Sequence, residues 1–154
     1  MGGASRDARA ASMTSQGLPL PQPPVQSYLG FDFGAKRVGV ASGNSLTCSA
    51  TPLTTVVDLG ERRFEAIAAL IAQWRPDALV LGVPYHPDGA PHENTARAQR
   101  FGRQLQGRFA LPVHEVDERY STTQARAAGA KDLDAASAAI ILEQFLNAIA
   151  CPQE

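Results

Sequence analysis

The stretch LGFDFGAKRVGVA, residues 29–41, decides the architecture. Apolar residues alternate with small or polar ones up to Phe33, a turn-like joint follows at Gly34-Ala35-Lys36, and a second apolar run takes over from Arg37 to Ser42. Period-two alternation on both sides of a short joint marks a pair of antiparallel strands. Asp32 stands inside the first strand, an unusual place for a carboxylate. Its neighbours Phe31 and Phe33 point to the opposite face. A carboxylate on a core strand needs a cation, a donor or a proton. Lys36 and Arg37 are close enough in sequence to make it a salt-bridged hairpin acid. Gly30 and Gly34 allow a second account, because they leave room for a phosphate or a metal to approach the backbone.

Working outward, Tyr28–Phe33, Arg37–Ser42 and Thr47–Val56 read as a three-strand antiparallel meander, with the second joint at Gly43-Asn44-Ser45. Helical spacing follows: Phe64, Ile67, Leu70, Ile71 and Trp74 fall on one face at 3.6 residues per turn, and Pro76 comes after the end of that helix. Ala78–Val83 is a continuous apolar strand, as expected when both faces are covered. A loop spans Pro84 to His92, and a second helix runs from about Glu93 to Gln106 and stops at Gly107. Pro112–Asp117 reads as a fifth strand. Ser121 with Gln124 forms a capping box for a short Ala-rich helix ending at Gly129. A last helix covers about Leu133–Ala150, capped by Asp132. The order β-β-β-α-β-α-β-α-α predicts an α/β fold of ribonuclease H-like architecture: a mixed five-stranded sheet, antiparallel meander plus parallel strands, with helices on both faces.

The 154 residues suit one domain, here residues 27–150, between a disordered tail at 1–26 and a short C-terminal tail at 151–154. The first segment has a Pro-rich stretch at 19–24 and no apolar periodicity. It lacks the apolar h-region of a secretory leader. Charge is balanced, 14 Lys+Arg against 15 Asp+Glu, which excludes a histone-like protein held to nucleic acid by bulk charge. Nearly all the basic residues are Arg, which favours planar, bidentate phosphate contacts. Cys48 and Cys151 lie far apart, have no zinc spacing and set no disulfide framework, so a reducing cytosol is the simple reading. No apolar run approaches the ~20 residues needed to cross a bilayer.

Two further acids stand out. Asp117-Glu118 closes the fifth strand, and since neighbouring strand residues face opposite ways, one of the two at most can join Asp32. Asp134 lies in the first turn of the last helix, on the stripe of Ala138, Ile141 and Phe145 that must pack on the sheet. The helix N-terminus partly stabilises its charge, which is also the plain structural account of an acid there. Three carboxylates that converge repel one another, so either a cation sits among them or at least one pKa rises. Hard oxygen ligands with no His or Cys favour Mg²⁺ or Mn²⁺. Two such ions about 4 Å apart would clamp a phosphodiester in line.

The first motif, the loop GVPYHPDG at 82–89, the stretch DERYSTTQAR at 117–126 and the stretch DLDAASAAIILE at 132–143 occur together in this order. Over about residues 28–149 the chain resembles the YqgF (RuvX) family of bacterial proteins, relatives of the RuvC resolvases. The resemblance implies a ribonuclease H-like fold, a cytoplasmic location and a nuclease that processes the 5′ end of pre-16S rRNA. It maps the acidic positions onto Asp32, Glu118 and Asp134, and so selects Glu118 over Asp117. The chain departs from the family at His86, where Asn is frequent, and in the connection before the last helix, which is only Gly129–Asp132.

Between Asn94 and His114 the chain carries Arg97, Arg100, Arg103 and Arg108 and no acid. Arg97, Arg100 and Arg103 span one broad helix face, read either as a phosphate-tracking surface or as a solvated helix face. The nucleic-acid-binding candidates are Lys36, Arg37, Arg97, Arg100 and Arg119. The expected partner is precursor rRNA rather than branched DNA, with ribosomal assembly particles in addition and no membrane. Two other functions fit the same residues: a structure-selective DNA endonuclease that cuts four-way junctions, and a non-catalytic RNA-binding ribosome-assembly factor. An actin-like or sugar-kinase ATPase also opens with an Asp-x-Gly strand, but needs two such domains, and the chain has length for one.

Overall fold

The computed structural model of the chain describes residues 25–119 and 129–150. The tail at 1–24, the Ser121–Gln124 capping box with its Ala-rich helix, and residues 151–154 lie outside the described residues. Five strands, β1 (Ser27–Phe33), β2 (Val38–Asn44), β3 (Ala50–Val56), β4 (Ala78–Tyr85) and β5 (Val113–Arg119), form one sheet in the order β3-β2-β1-β4-β5. The first three pair antiparallel, and β4 and β5 add in parallel. Helices α1 (Glu61–Trp74) and α2 (Thr95–Phe109) pack on one face, and α3 (Leu133–Phe145) packs on the other. This is the mixed, ribonuclease H-like sheet expected from the residue pattern.

The two faces are built from different residues. Leu29, Phe31, Val38, Val40, Leu79 and Leu81 point toward α1 and α2 and meet Phe64, Ile67, Phe101 and Leu105. The opposite face is floored by small residues. Gly30, Gly39, Gly43 and Gly82 lie directly under α3, and a Cβ on Gly39 would fall 1.9 Å from the carbonyl oxygen of Asp134. Ala135, Ala138 and Ala139 supply the matching small residues on the helix. Helix and sheet therefore approach more closely here than larger side chains allow.

Several boundaries differ from the sequence reading. β5 continues through Glu118 and Arg119, paired in register with Pro84 and Tyr85 of β4. β3 begins at Ala50, because the Asn44 side chain accepts from the backbone N–H of Leu46 and Thr47 and holds that segment as a turn. α2 runs past Gly107, which has open space around it, and ends at Ala110 in the left-handed conformation. The last helix changes to a π-helical turn at Leu146–Ala150. Trp74, expected on the buried stripe of α1, is 41% exposed, while Phe64 and Ile67 are buried. Cys48 is disulfide-bonded, which corrects the expectation that it belongs to no disulfide framework.

Replacing Gly39 with Ala should lower stability by about 2–3 kcal/mol, since only movement of the α3 backbone can relieve the overlap. Gly107→Ala, in an open helix position, should raise stability by about 0.5–1 kcal/mol. Urea denaturation of both variants checks the pair, and equal stabilities would show that α3 shifts without cost.

Candidate active site

Side-chain alternation places Asp32 on the α3 face of β1, in line with Tyr28 and Gly30. Tyr28 meets Phe145 edge-on at 5.2 Å between ring centroids, and Gly30 lies under Leu142 and Ala138. The next step of that row sets Asp32 opposite Gly39, the residue on which the Asp134 backbone rests. The match of lengths is simple. Tyr28 to Asp32 spans about 13 Å of strand, and Phe145 back to Asp134 about 16 Å of helix. The start of α3 thus arrives at the level of Asp32.

Glu118 reaches the same face by the same alternation along β5. His114 stacks on Phe145, Val116 packs against the α3 cluster, and Glu118 follows. Glu115 belongs to the other side, with its carboxylate 3.9 Å from where a Gly102 Cβ on α2 would sit. Asp117 shares that opposite orientation, so the choice left open by strand alternation falls to Glu118. Glu118 is 4% exposed, and neither carboxylate oxygen has a hydrogen-bond partner among the described residues.

The three acids are neutralised in different ways. Burial raises the Asp32 carboxyl to about 7, with the charge of Asp134 adding to the rise. Burial also raises Glu118, to about 8, with Asp32 and then Asp117 contributing. Asp134 instead pairs with Arg37, its Oδ2 2.9 Å from the Arg37 Nε. The Arg37 side chain is 61% exposed, so this ion pair contributes at most about 1 kcal/mol and is readily exchanged. Asp132 caps α3 by accepting from the Ala135 N–H at 3.1 Å, which leaves Asp134 in the first turn on the sheet side as expected.

Asp32 is the electrostatic centre, coupled to Asp134 on one side and Glu118 on the other. Among the described residues, however, no three His, Cys, Asp or Glu side chains stand together at metal-holding distance. The sheet explains this. β4 lies between β1 and β5, which separates Asp32 and Glu118 by about 10 Å across the strands. The donor chemistry nonetheless suits a hard divalent cation: oxygen donors only, two of them buried and unpartnered.

The basic candidates divide. Lys36 and Arg37 sit on the β1–β2 hairpin beside the acids, both exposed. Arg97, Arg100 and Arg103 are exposed on α2, on the far face of the sheet. Arg108, counted with them in sequence, is held in a two-pronged pair with Glu61 of α1 at 2.7 and 3.0 Å and lies over the Phe64 ring, so it joins the two helices. The Arg119 side chain lies outside the described residues. The His86 ring stands 5.0 Å from the ring of His92. Sequence reading missed Arg63, which is 7% exposed and lies on the same stripe of α1 as Ile67 and Leu70.

No helix among the described residues is long and apolar enough to cross a membrane. A model of the RuvX family, described as Holliday junction resolvase, matches residues 26–148. A protein of Polaromonas sp. named "Putative pre-16S rRNA nuclease" is 62% identical over 125 residues, covering 81% of this chain and 91% of that protein. One of the same name from Paraburkholderia phytofirmans is 54% identical over 144 residues, covering 89% and 99%. Among solved structures, Thermus thermophilus RuvC in complex with Holliday junction substrate aligns at a TM-score of 0.48 and 16% identity, over 80% of this chain and 94% of that one. With its match across nearly all of the described residues, the chain belongs to the RuvX family.

Proposed function

We propose that residues 27–150 form a metal-dependent endonuclease domain that processes the 5′ end of pre-16S rRNA, with Asp32, Glu118 and Asp134 as the acids that hold Mg²⁺ or Mn²⁺. The observation that carries this reading is Glu118, a carboxylate sealed on the face it shares with Asp32 and given no hydrogen-bond partner among the described residues. A group buried in that way costs stability unless a proton or a cation meets it. It is poor scaffolding and a good ligand.

A bound divalent ion supplies activation of the attacking water and stabilisation of charge on the leaving oxygen. The chain's own residues prepare the place. Asp32, between two other acids, retains a proton near neutral pH and releases it when a cation replaces it. Glu118 does the same from the buried side. Arg37 holds Asp134 by an exposed pair, and on leaving it brings a guanidinium to the incoming phosphate. Lys36, Arg97, Arg100 and Arg119 extend the contact along the strand. The names of the relatives support precursor rRNA as substrate; an enzyme with that substrate would meet it in the cytoplasm, in ribosomal assembly particles.

The description of the matching family favours a second reading, cleavage of branched DNA by the same acids. Side-by-side incubation of a 16S precursor fragment and a four-way DNA junction separates the two. Wild type with Mn²⁺ should cut the precursor and leave the junction intact, and chelator or Asp32→Asn should reduce cutting by at least about 100-fold. Preferential junction cutting would shift the substrate to DNA. Normal rRNA maturation by the Asp32→Asn protein would point to an assembly factor without catalysis.

The raised carboxyls also predict how stability depends on pH in the metal-free protein. The folded chain keeps protons on Asp32 and Glu118 that the unfolded chain has lost above about pH 4.5. Stability is therefore greatest at low pH within this window and falls as pH rises through about 7 and 8, by at most about 1.4 kcal/mol per pH unit for each retained proton. Urea titrations in chelator from pH 5 to 9 should show this decline, and Asp32→Asn with Glu118→Gln should flatten it.

A further inference from the structure

On the face opposite the acids, a cavity of about 280 Å³ opens between the β1–β2 hairpin, the start of α1 and the first half of α2. Phe33, Ala35, Arg63, Arg97, Arg100 and Phe101 line it. Arg63 is the unusual member. It is 7% exposed. Its Nε donates to the Asp58 carbonyl at 3.2 Å and its Nη2 to the Ala35 carbonyl at 3.1 Å. Its guanidinium also lies 5.8 Å from the centre of the Phe33 ring. Among the described residues no carboxylate pairs with it. A guanidinium stays charged in a protein and carries five N–H donors, more than two carbonyls satisfy.

A buried cation is normally compensated by an acid. Glu61, at the start of α1, is taken by Arg108. Arg97 and Arg100 add two more guanidinium groups to the same cavity, and the rings of Phe33 and Phe101 line it beside them. Gly60, the residue that caps α1, also stands at the wall.

We propose that this cavity is a second phosphate site, holding a backbone phosphate of the single-stranded RNA whose scissile bond lies at the acids, with Arg63 as its deepest ligand. The hairpin forms the ridge between the two sites: Ala35 faces the cavity, and Arg37, two residues on, pairs with Asp134. A strand drawn over that ridge is gripped on both sides of the sheet edge. Arg is suited to this task because its fork matches two phosphate oxygens. The proposal rests on the reading of the chain as a ribonuclease and names how that enzyme holds its strand.

The test measures binding without cleavage. Fluorescence anisotropy of a labelled single-stranded RNA is followed across salt in the Asp32→Asn protein with Mg²⁺. Arg63→Gln, and Arg97→Gln with Arg100→Gln, should each weaken binding, and the slope of log affinity against log salt should fall by about 0.7 for every phosphate that is no longer neutralised. Arg63→Lys keeps the charge without the fork and should weaken binding less than Arg63→Gln. Arg75→Gln, at the far end of α1, removes the same charge and should leave both quantities unchanged. Thermal melting confirms that each variant is folded. Equal affinity and slope in all the folded variants would overturn the site. So would competition by inorganic phosphate that depends on Arg63 while RNA affinity does not, because the occupant would then be a small free anion. RNA bound through the cavity by a wild-type protein that cuts nothing would sink the nuclease reading and leave this site standing.

Discussion

The structure depends on one close approach: the first turn of α3 resting on the bare backbone of Gly39. Because Gly39 is the antiparallel partner of Asp32, this contact brings the start of α3, with Asp134, to the level of Asp32. It also explains the composition of the helix. A helix that lies so near a sheet cannot carry Leu or Phe along its whole inner stripe, and Ala135, Ala138 and Ala139 occupy the tightest part. Larger residues return only further along, at Ile141, Leu142 and Phe145, even there against Gly30 and Gly82. Close packing excludes water from that face, and exclusion of water is the main cause of the raised Asp32 and Glu118 carboxyls.

The sheet separates two tasks by face. The side toward α1 and α2 carries the bulk of the large side chains, with Phe31, Phe33 and Phe64 arranged around Phe101. The other side is thin, small-residued and acid-bearing. Strand alternation lets one stretch serve both: Phe31 and Phe33 anchor β1 in the aromatic cluster and hold Asp32 outward on the opposite side. Positioning of the acid is thereby a consequence of core packing and not of a mobile loop.

Much of this was legible in the residues because it follows from two periodicities. Alternation identified Asp32, and the 3.6-residue repeat put Asp134 on the inner stripe of its helix. Alternation could not choose between Asp117 and Glu118, since the orientation of β5 depends on register with β4, a long-range property. The resemblance to a family made that choice, and the row His114, Val116, Glu118 under α3 agrees with it. The pairing of Arg37 with Asp134 was hidden for the same reason, as the two lie far apart in the chain. Arg108 looked like one more member of a basic face, and only the packing of α2 on α1 shows it committed to Glu61. Arg63 falls within the Phe64, Ile67, Leu70 stripe of its helix, a signal masked by the habit of Arg in a first turn of snorkelling to water, and the hairpin folds over it.

The same burial answers how a chain with a formal charge of −1 can attract a polyanion. That figure treats every carboxylate as ionised. With Glu118 raised to about 8 and Asp32 to about 7, one acid is mostly protonated at neutral pH and the other about half so. The acids that would repel a phosphate are thus largely silent, while Lys36, Arg37, Arg97 and Arg100 remain exposed and charged. Approach is governed by the exposed cations, which act through solvent and are screened by salt. Protonation of Asp32 and Glu118 thus lets a protein of near-zero formal charge present its exposed cations to a polyanion with little repulsion from the acid-bearing face.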